Sequence, residues 1–228
     1  MRTLLPQLAI GLPPAGDTLL LDRLFPTSPR RLWLEIGFGS GEHLAELAAR
    51  HGDTGFLGCE IFLNGIAALL DHVVRRCLSN VRIHPDDARA LLDALPAASI
   101  ERAFLLFPDP WPKRRHQDRR FIRPENLARL ARVLSDGAGL EVASDDPGYI
   151  AWTLEHVLRH GAFEWLARRP CDWRERPTDW PATRYEMKAL AAGRPASYLR
   201  FRRRPRSEGS TSAETERLRV GVANVKIS

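Results

Sequence analysis

The sequence has few cysteines, few lysines and no long apolar run. Its three cysteines, Cys59, Cys77 and Cys171, lie far apart and form no CxxC pair, so neither a disulfide framework nor a zinc site is indicated. No stretch approaches the ~18 apolar residues of a membrane-spanning helix, and the segment Leu4–Leu12 is interrupted by proline and glycine. We therefore expect a cytoplasmic protein without a signal peptide, a membrane anchor or a bound metal.

What the sequence does have is an average globular composition and a surplus of arginine. Hydrophobic residues make up 44% of the 228 residues and charged residues 27%, which argues against global disorder and against a fibrous repeat. Lysine and arginine together number 34 against 28 acidic residues, a net charge of +6, and 31 of the 34 are arginine. This balance fits a polyanionic partner such as nucleic acid, but codon bias explains it equally well until the charge is located.

From Arg31 onward, short apolar runs alternate with segments of helical period, a pattern typical of an α/β fold with a doubly wound, mostly parallel sheet of seven strands and helices on both faces. The predicted strands are Leu32–Ile36, Gly55–Glu60, Val81–His84, Ala103–Phe107, Leu140–Ser144, Phe163–Ala167 and Ser197–Phe201. The predicted helices are Gly41–Arg50, Asn64–Leu78, Asp87–Ala94, Pro124–Leu134 and Pro147–His160.

Three segments fall outside this alternation. Residues 1–30 have little periodicity, and we expect an N-terminal extension that packs loosely against a domain spanning residues 31–204. Residues 169–196 are rich in proline and are predicted to form a long ordered loop, which is uncommon in a compact domain and usually functional. The polar composition of residues 205–228 predicts a disordered tail.

A glycine-rich turn follows the first predicted strand. Gly37, Gly39 and Gly41 allow a sharp entry into the next helix and bring backbone N–H groups close to a ligand. Glu42 stands where a dinucleotide fingerprint has glycine or alanine, and its carboxylate, with that of Glu35, would repel a phosphate. An adenosyl ligand without phosphate fits better, although a tight turn of any doubly wound fold is the simpler alternative.

Acidic residues also end the next two predicted strands. Glu60 is placed to accept hydrogen bonds from both ribose hydroxyls of a nucleoside, at a spacing shared by NAD-dependent and S-adenosylmethionine-dependent enzymes. A solvated glutamate at a strand end is the alternative. Asp86 or Asp87 could hold an adenine amino group, but one of them is equally explained as a helix N-cap.

The most specific motif is Pro108-Asp109-Pro110-Trp111-Pro112, at the end of the fourth predicted strand. Ligands of open α/β sheets bind outside the carboxyl ends of the strands, so Asp109 is expected to face the crevice beside the glycine turn. The prolines restrict the backbone and present Asp109 and Trp111 in one arrangement, which suits a flat heterocycle. A purely structural proline turn would not explain why these two residues are there.

A basic run, residues 113–120, follows this motif directly. Charge runs are usually solvated faces, but an RNA bound here would be delivered to Asp109, with arginine contacts to phosphate that position it without reading its sequence. Residues 110–132 carry eight basic and two acidic side chains, a surplus equal to the net charge of the whole chain. The position of the charge therefore favours a polyanionic partner.

Three segments together resemble the bacterial tRNA (guanine-N7)-methyltransferases: Glu35–Gly41, Phe107–Lys113 with the following Arg115-His116 and Arg119-Arg120, and Thr183–Glu186. The resemblance covers about residues 31–203, in the same order and spacing. It implies a Rossmann-like class I methyltransferase that transfers the methyl group of S-adenosylmethionine to N7 of a guanine in the tRNA variable loop. It also implies tRNA as partner and a monomer or simple homodimer.

Site residues follow from the resemblance by position. The resemblance places Glu35, Glu60, Asp87 and Asp109 at the cofactor. Together with Gly37, Gly39 and Gly41 of the glycine turn, these are the predicted cofactor-binding residues. The predicted substrate-binding residues are Lys113, Asp145, Thr183, Arg184, Tyr185 and Glu186, and the predicted RNA contacts are Arg115, His116, Arg119 and Arg120. Since N7 carries a lone pair and no proton, no general base is needed, and Asp109 is expected to orient the guanine and stabilise its developing charge. The alternatives are methylation of another RNA or a small molecule, and a non-catalytic RNA-binding subunit.

Overall fold

The computed structural model describes residues 4–206, and these form a seven-stranded sheet covered by helices. The strands are β1 Arg31–Ile36, β2 Thr54–Cys59, β3 Val81–His84, β4 Ile100–Leu106, β5 Leu134–Ser144, β6 Phe163–Trp165 and β7 Ser197–Arg203. The α-helices are α1 Leu5–Leu8, α2 Glu42–Arg50, α3 Leu63–Arg75, α4 Ala88–Ala94, α5 Pro124–Val133, α6 Pro147–His160, α7 Cys171–Arg174 and α8 Arg184–Ala191.

The strand order is β3-β2-β1-β4-β5-β7-β6, and β7 alone runs antiparallel to its neighbours in this sheet. The order reverses between β1 and β4, which opens a crevice at the carboxyl ends of these two adjacent strands. The glycine turn leaves β1 and the proline-rich loop leaves β4, so the topology brings both motifs to that crevice. This confirms the predicted class I methyltransferase fold.

Helices cover both faces of the sheet. On one face, Leu91 of α4 and Leu127 of α5 belong to one buried apolar cluster. On the other face, Leu44 of α2 and Leu69 of α3 belong to a second cluster. The inner strands β1 and β2 are buried on both sides, as expected for a parallel sheet, and this is why their sequences are mostly apolar. Within residues 4–206 no helix has the length and hydropathy needed to cross a membrane.

The segment before β1 packs more closely than expected. Leu8, Ile10, Leu19 and Phe25 are all buried, and the N–H of Ile10 donates to the carbonyl of Ile83 over 2.8 Å. The expectation of loose packing was therefore wrong, because irregularly spaced apolar residues cover the edge strand β3 without forming a periodic element. Of the predicted tail 205–228, residues 207–228 lie outside the described residues. Arg206 is described, and it contacts β5: its backbone N–H donates to Oδ2 of Asp136 over 3.0 Å and its Nη2 to the Leu134 carbonyl over 2.7 Å.

Residues 169–196 were expected to be a loop, but they contain α7 and α8. The hydroxyl of Thr183 accepts a hydrogen bond from the N–H of Glu186 over 3.2 Å and caps α8. Thr183 and Glu186 stand three residues apart, the spacing of a capping box, so the sequence held a start signal that the surrounding prolines masked. Strand β5 also begins at Leu134, six residues before the predicted start.

Candidate active site

A pocket of about 440 Å³ lies at the carboxyl ends of the central strands. The glycine turn, the ends of β2, β3 and β4, and the proline-rich loop all contribute to its wall. Five of the predicted cofactor-binding residues line it: Gly37, Gly39, Glu60, Asp87 and Asp109. The structure thus brings together residues that are up to 72 positions apart in the sequence.

The three glycines of the turn have positive φ, at 70° for Gly37, 55° for Gly39 and 74° for Gly41. A Cβ on Gly37 or Gly39 would meet open space, so both leave their backbone accessible to the pocket. A Cβ on Gly41 would lie 2.7 Å from the side chain of Leu69, so this glycine permits α2 and α3 to pack together. Gly41 does not line the pocket, and its contribution to ligand binding is indirect.

The Glu60 carboxylate locks the glycine turn in place. Its Oε2 accepts the N–H of Gly39 over 2.9 Å, and its Oε1 accepts those of Ile61 and Phe62 over 2.8 and 2.9 Å. Each carboxylate oxygen accepts about two hydrogen bonds, so Oε2 keeps one position open. Gly65 completes this packing, since a Cβ there would lie 2.3 Å from the Gly39 carbonyl oxygen. Sequence reasoning missed Gly65, whose only signal was a glycine within a helical period.

Asp87 has two roles in the structure. Its carboxylate caps α4 by accepting the N–H of Arg89 over 2.8 Å, as the N-cap alternative foresaw. Hydrogen bonds from the Arg89 side chain hold the pKa of Asp87 below its usual value, so the carboxylate stays ionised at neutral pH. Asp86 and Asp87 both line the pocket.

The proline-rich loop after β4 contains strained backbone. Phe107 and Trp111 have φ of 50° and 42°, a conformation that costs about 1–3 kcal/mol per residue and persists only where the surroundings impose it. The N–H of Phe107 donates to the Ala143 carbonyl over 2.7 Å and fixes the start of the loop. Asp109 is exposed at the rim of the pocket, available to a ligand.

Residues Arg114–Arg119 form a 3-10 turn beside this loop. The guanidinium of Arg119 lies 4.7 Å from the ring centroid of Trp111, and the His116 ring approaches the same indole edge-on at 5.8 Å. Lys113, Arg115 and Arg119 are exposed, as an RNA contact requires.

Arg120 does not match its prediction as an RNA contact, because it is only 4% exposed. Its Nε donates to the Pro110 carbonyl over 2.8 Å and its Nη2 to the Trp111 carbonyl over 3.4 Å. The sequence could not reveal this, since a run of charges carries no periodic signal of which member turns inward.

The basic surplus of residues 110–132 is partly used inside the protein. Arg129 pairs with Asp93 over 2.8 Å, and Arg132 donates to the Leu95 carbonyl over 2.7 Å. The charge presented to solvent is therefore concentrated at the start of the run, in Lys113, Arg114, Arg115 and Arg119. This is the part nearest the pocket, and we call these four residues the basic patch.

A second pocket, of about 180 Å³, adjoins the first and shares Gly37, Gly39 and Phe107 with it. Glu35 lines this smaller pocket rather than the larger one, and its Oε2 lies 2.8 Å from Nδ1 of the buried His43. His43 was missed by the sequence reasoning, because a histidine on the inner face of a helix gives no distinctive pattern.

Helix α8 closes the smaller pocket on its outer side. Of the four predicted residues in 183–186, Thr183 and Tyr185 line the pocket, and the Tyr185 ring lies 5.0 Å from that of Phe107. Burial raises the pKa of Tyr185, and the carboxylates of Asp145 and Asp109 raise it further, so its phenol stays neutral.

The other two residues hold α8 in place. Arg184 donates its backbone N–H to Oε2 of Glu42 over 2.9 Å and pairs with the same carboxylate through its side chain. Glu186 accepts a hydrogen bond from the hydroxyl of Tyr198. Asp145, also predicted to bind substrate, accepts Nε of Arg194 over 2.9 Å. The direct contacts to α2 and β7 fix where Tyr185 stands.

Comparison with known proteins is consistent with this geometry. Residues 29–199 match a family model described as "Putative methyltransferase". The chain is 53% identical over 209 residues to a tRNA (guanine-N(7)-)-methyltransferase of Rhodospirillum rubrum, covering 91% of this chain and 82% of that protein. It is 50% identical over 204 residues to the enzyme of the same description from Agrobacterium fabrum, covering 90% and 88%.

Solved structures show the same fold at low identity. A precorrin-6y C5,15-methyltransferase from Geobacter metallireducens superposes with a TM-score of 0.53 at 14% identity, over 77% of this chain and 81% of its own. The [4+2]-cyclase SpnF superposes with a TM-score of 0.52 at 15% identity, over 85% of each chain. Since these two proteins catalyse different reactions, the fold alone does not identify a substrate.

Proposed function

Because this chain belongs to the tRNA (guanine-N7)-methyltransferase family, we propose that it transfers the methyl group of S-adenosylmethionine to N7 of a guanine in the variable loop of tRNA. One observation of the structure carries the proposal furthest. The larger pocket holds five of the seven residues predicted to bind the adenosyl ligand, and the smaller holds Thr183 and Tyr185. Both pockets share Gly37, Gly39 and Phe107. A methyl group at the boundary between the two pockets would lie between the sulfur that donates it and the nucleotide that accepts it.

The residues present fit S-adenosylmethionine. Gly37 and Gly39 leave room for close approach of a ligand, and Oε2 of Glu60 retains an acceptor position for a ribose hydroxyl. Ile61 and Phe62 supply apolar surface for an adenine ring in the same pocket. When bound, S-adenosylmethionine supplies an electrophilic methyl group on a positively charged sulfur, which suits a site with several carboxylates and no phosphate-binding cation in the turn.

Asp109 is assigned to the reaction itself. N7 of guanine needs no deprotonation, so the protein has to orient the base and stabilise the positive charge that develops on the purine. An exposed carboxylate on a restrained loop at the pocket rim can do both. We assign Tyr185, Thr183 and Lys113 to the nucleotide, and Arg115, His116 and Arg119 to the RNA backbone, with the target base turned out of its stack.

The remaining expectations belong to the same proposal. We propose that residues 31–204 form the methyltransferase domain, with residues 1–30 as its extension and the segment after residue 204 as a tail. We further propose that the enzyme works in the cytoplasm as a monomer or simple homodimer and that no metal takes part in the transfer. The chemistry supports the last point, because neither proton abstraction nor carbonyl polarisation is required.

The test is to incubate the protein with labelled S-adenosylmethionine and unmodified tRNA and to analyse the nucleosides. Label in 7-methylguanosine is expected, and it should vanish when the variable-loop guanine is replaced by adenine. Label in a different nucleoside would redirect the proposal to another RNA methylation. Intact tRNA binding with no label in any nucleoside would indicate a non-catalytic RNA-binding subunit.

A further inference from the structure

Arg120 differs from the rest of the basic run in where its side chain lies. It is 4% exposed, whereas Lys113, Arg114, Arg115 and Arg119 are exposed. A phosphate contact requires access to the RNA backbone, which a buried guanidinium does not have. The burial of a charged group is also costly unless its hydrogen bonds are satisfied, so the position needs an explanation.

The explanation is in the atoms that the guanidinium touches. Its hydrogen-bond acceptors in residues 4–206 are the carbonyl oxygens of Pro110 and Trp111, at 2.8 and 3.4 Å from Nε and Nη2. Its Cζ lies over the ring of Trp152 on α6, 4.8 Å from the centroid, and 5.8 Å from the ring centroid of Tyr149. Arg120 therefore connects the proline-rich loop to α6.

The loop needs such an external donor. Pro108, Pro110 and Pro112 have no N–H, so only Asp109 and Trp111 within residues 108–112 can donate a backbone hydrogen bond. Trp111 stands at a φ of 42°, which a residue with a side chain rarely adopts. Both facts mean that the position of Asp109, between two of these prolines, depends on contacts made from outside the loop.

Resting on the proposed function, we infer that Arg120 is a positioning residue that holds Asp109 in place through the Pro110 and Trp111 carbonyls, and not an RNA contact. A planar guanidinium can reach two carbonyl oxygens and stack on an aromatic ring at the same time. A lysine carries the same charge but has neither the second nitrogen nor the plane. Arg120→Lys therefore separates geometry from charge.

The experiment compares Arg120→Lys, which keeps the charge at a buried position, with Arg115→Ala, which removes the charge at an exposed position of the same run. For Arg120→Lys we expect kcat about 10- to 100-fold lower than in the wild type, because small misplacements of a reacting group have effects of this size. The Kd for tRNA and its dependence on salt should stay unchanged in Arg120→Lys and also in Arg120→Gln, which removes the charge that a phosphate contact would need. For Arg115→Ala we expect weaker tRNA binding and a salt slope smaller by about 1.

A readout independent of activity accompanies the kinetics. In the ¹H–¹⁵N spectrum, the indole N–H signals of Trp111 and Trp152 should shift in Arg120→Lys, while that of Trp33 should not. Absence of methyl transfer by the wild type would refute the proposed function, yet these shifts would still test the role of Arg120.

Three results would overturn the inference: wild-type kcat in Arg120→Lys, a reduced salt slope in Arg120→Gln, or unmoved Trp111 and Trp152 signals in Arg120→Lys. Loss of the folded state in Arg120→Lys would also overturn it, because the proposal assigns Arg120 to one loop and not to global stability.

Discussion

At the scale of single residues, the site depends on one exposed carboxylate held by a restrained backbone. Asp109 lines the larger pocket, and its neighbours Phe107 and Trp111 both have positive φ. We predict that Asp109→Ala lowers kcat far more than it lowers affinity for S-adenosylmethionine, because Glu60 and the glycine turn remain to bind the cofactor. Single-turnover kinetics and calorimetric titration with S-adenosylmethionine measure the two quantities separately. Near-normal turnover in this variant would remove Asp109 from the assigned role.

A second residue-scale prediction concerns Gly65. Alanine inside a helix is usually more stable than glycine by roughly 0.5–1 kcal/mol, but here the added Cβ would stand 2.3 Å from the Gly39 carbonyl. Overpacking of this kind costs about 1–3 kcal/mol, so the clash outweighs the helix propensity. We expect Gly65→Ala to destabilise the fold and to weaken S-adenosylmethionine binding by displacing the glycine turn.

The matched control for that change is Gly52→Ala, whose Cβ would meet no atom within 4 Å. It should leave both stability and cofactor affinity close to wild type. Thermal melts measure the stability of the two variants, and titrations with S-adenosylmethionine measure their affinity. Equal stability and equal affinity of Gly65→Ala and Gly52→Ala would contradict the packing argument.

The residues of the site were predictable to different degrees. Asp109 and Glu60 end strands, and the carboxyl ends of parallel strands meet at one edge, so a linear sequence already implied that they come together. The burial of Arg120 and the pairing of His43 with Glu35 could not be foreseen in this way. Both depend on which side chain of a polar or helical segment turns inward, and that is decided by tertiary packing.

At the scale of elements, the contact between α2 and α8 sets the outer wall of the smaller pocket. Burial raises the pKa of Glu42, but the backbone N–H and guanidinium of Arg184 more than offset this, so the pKa lies below its usual value. A carboxylate with a depressed pKa contributes stability above its unfolded pKa and loses it as the pH falls through the folded pKa. The α2–α8 contact should therefore persist at neutral pH and weaken only in acid.

We predict that Arg184→Ala makes the segment 176–194 accessible to protease at neutral pH. In the wild type, the same segment should become accessible only in acid. Limited proteolysis across a pH series measures this accessibility. Arg159→Ala, which breaks an exposed pair with Glu155 on α6, is the control and should not affect the segment. Equal cleavage of Arg184→Ala and the wild type at pH 7 would show that Glu42 does not hold α8.

Helices and strands were easier to predict than individual site residues, because the spacing of apolar residues in the sequence matches the face that each element buries. The central strands are mostly apolar and the helices beside them have strong apolar faces, so their existence followed from hydrophobic spacing. Helix α8 was missed because only Ala189 of its eight residues is buried, which leaves no apolar stripe to detect. Its position depends instead on Glu42 and Tyr198, contacts with residues distant in the sequence.

At the scale of the whole molecule, the position of the basic residues matters more than the net charge of +6. Arg129 and Arg132 are engaged within the protein, whereas the basic patch is exposed beside the larger pocket. A localised patch of this kind attracts a polyanion to the reaction site, and each phosphate neutralised releases condensed counterions. Affinity for tRNA should therefore fall steeply with salt.

We predict that replacing Arg114, Arg115 and Arg119 together by alanine reduces the slope of log Kd against log salt by about 3, since each phosphate contact contributes roughly one unit. The control replaces Arg75 and Arg159, which are exposed on α3 and α6 and paired with Asp71 and Glu155. It removes two positive charges from the molecule and leaves the patch intact, so a near-wild-type slope is expected. Filter binding or fluorescence anisotropy at several salt concentrations gives the slopes. Equal slopes for the triple variant and the wild type would mean that tRNA binds elsewhere on the surface.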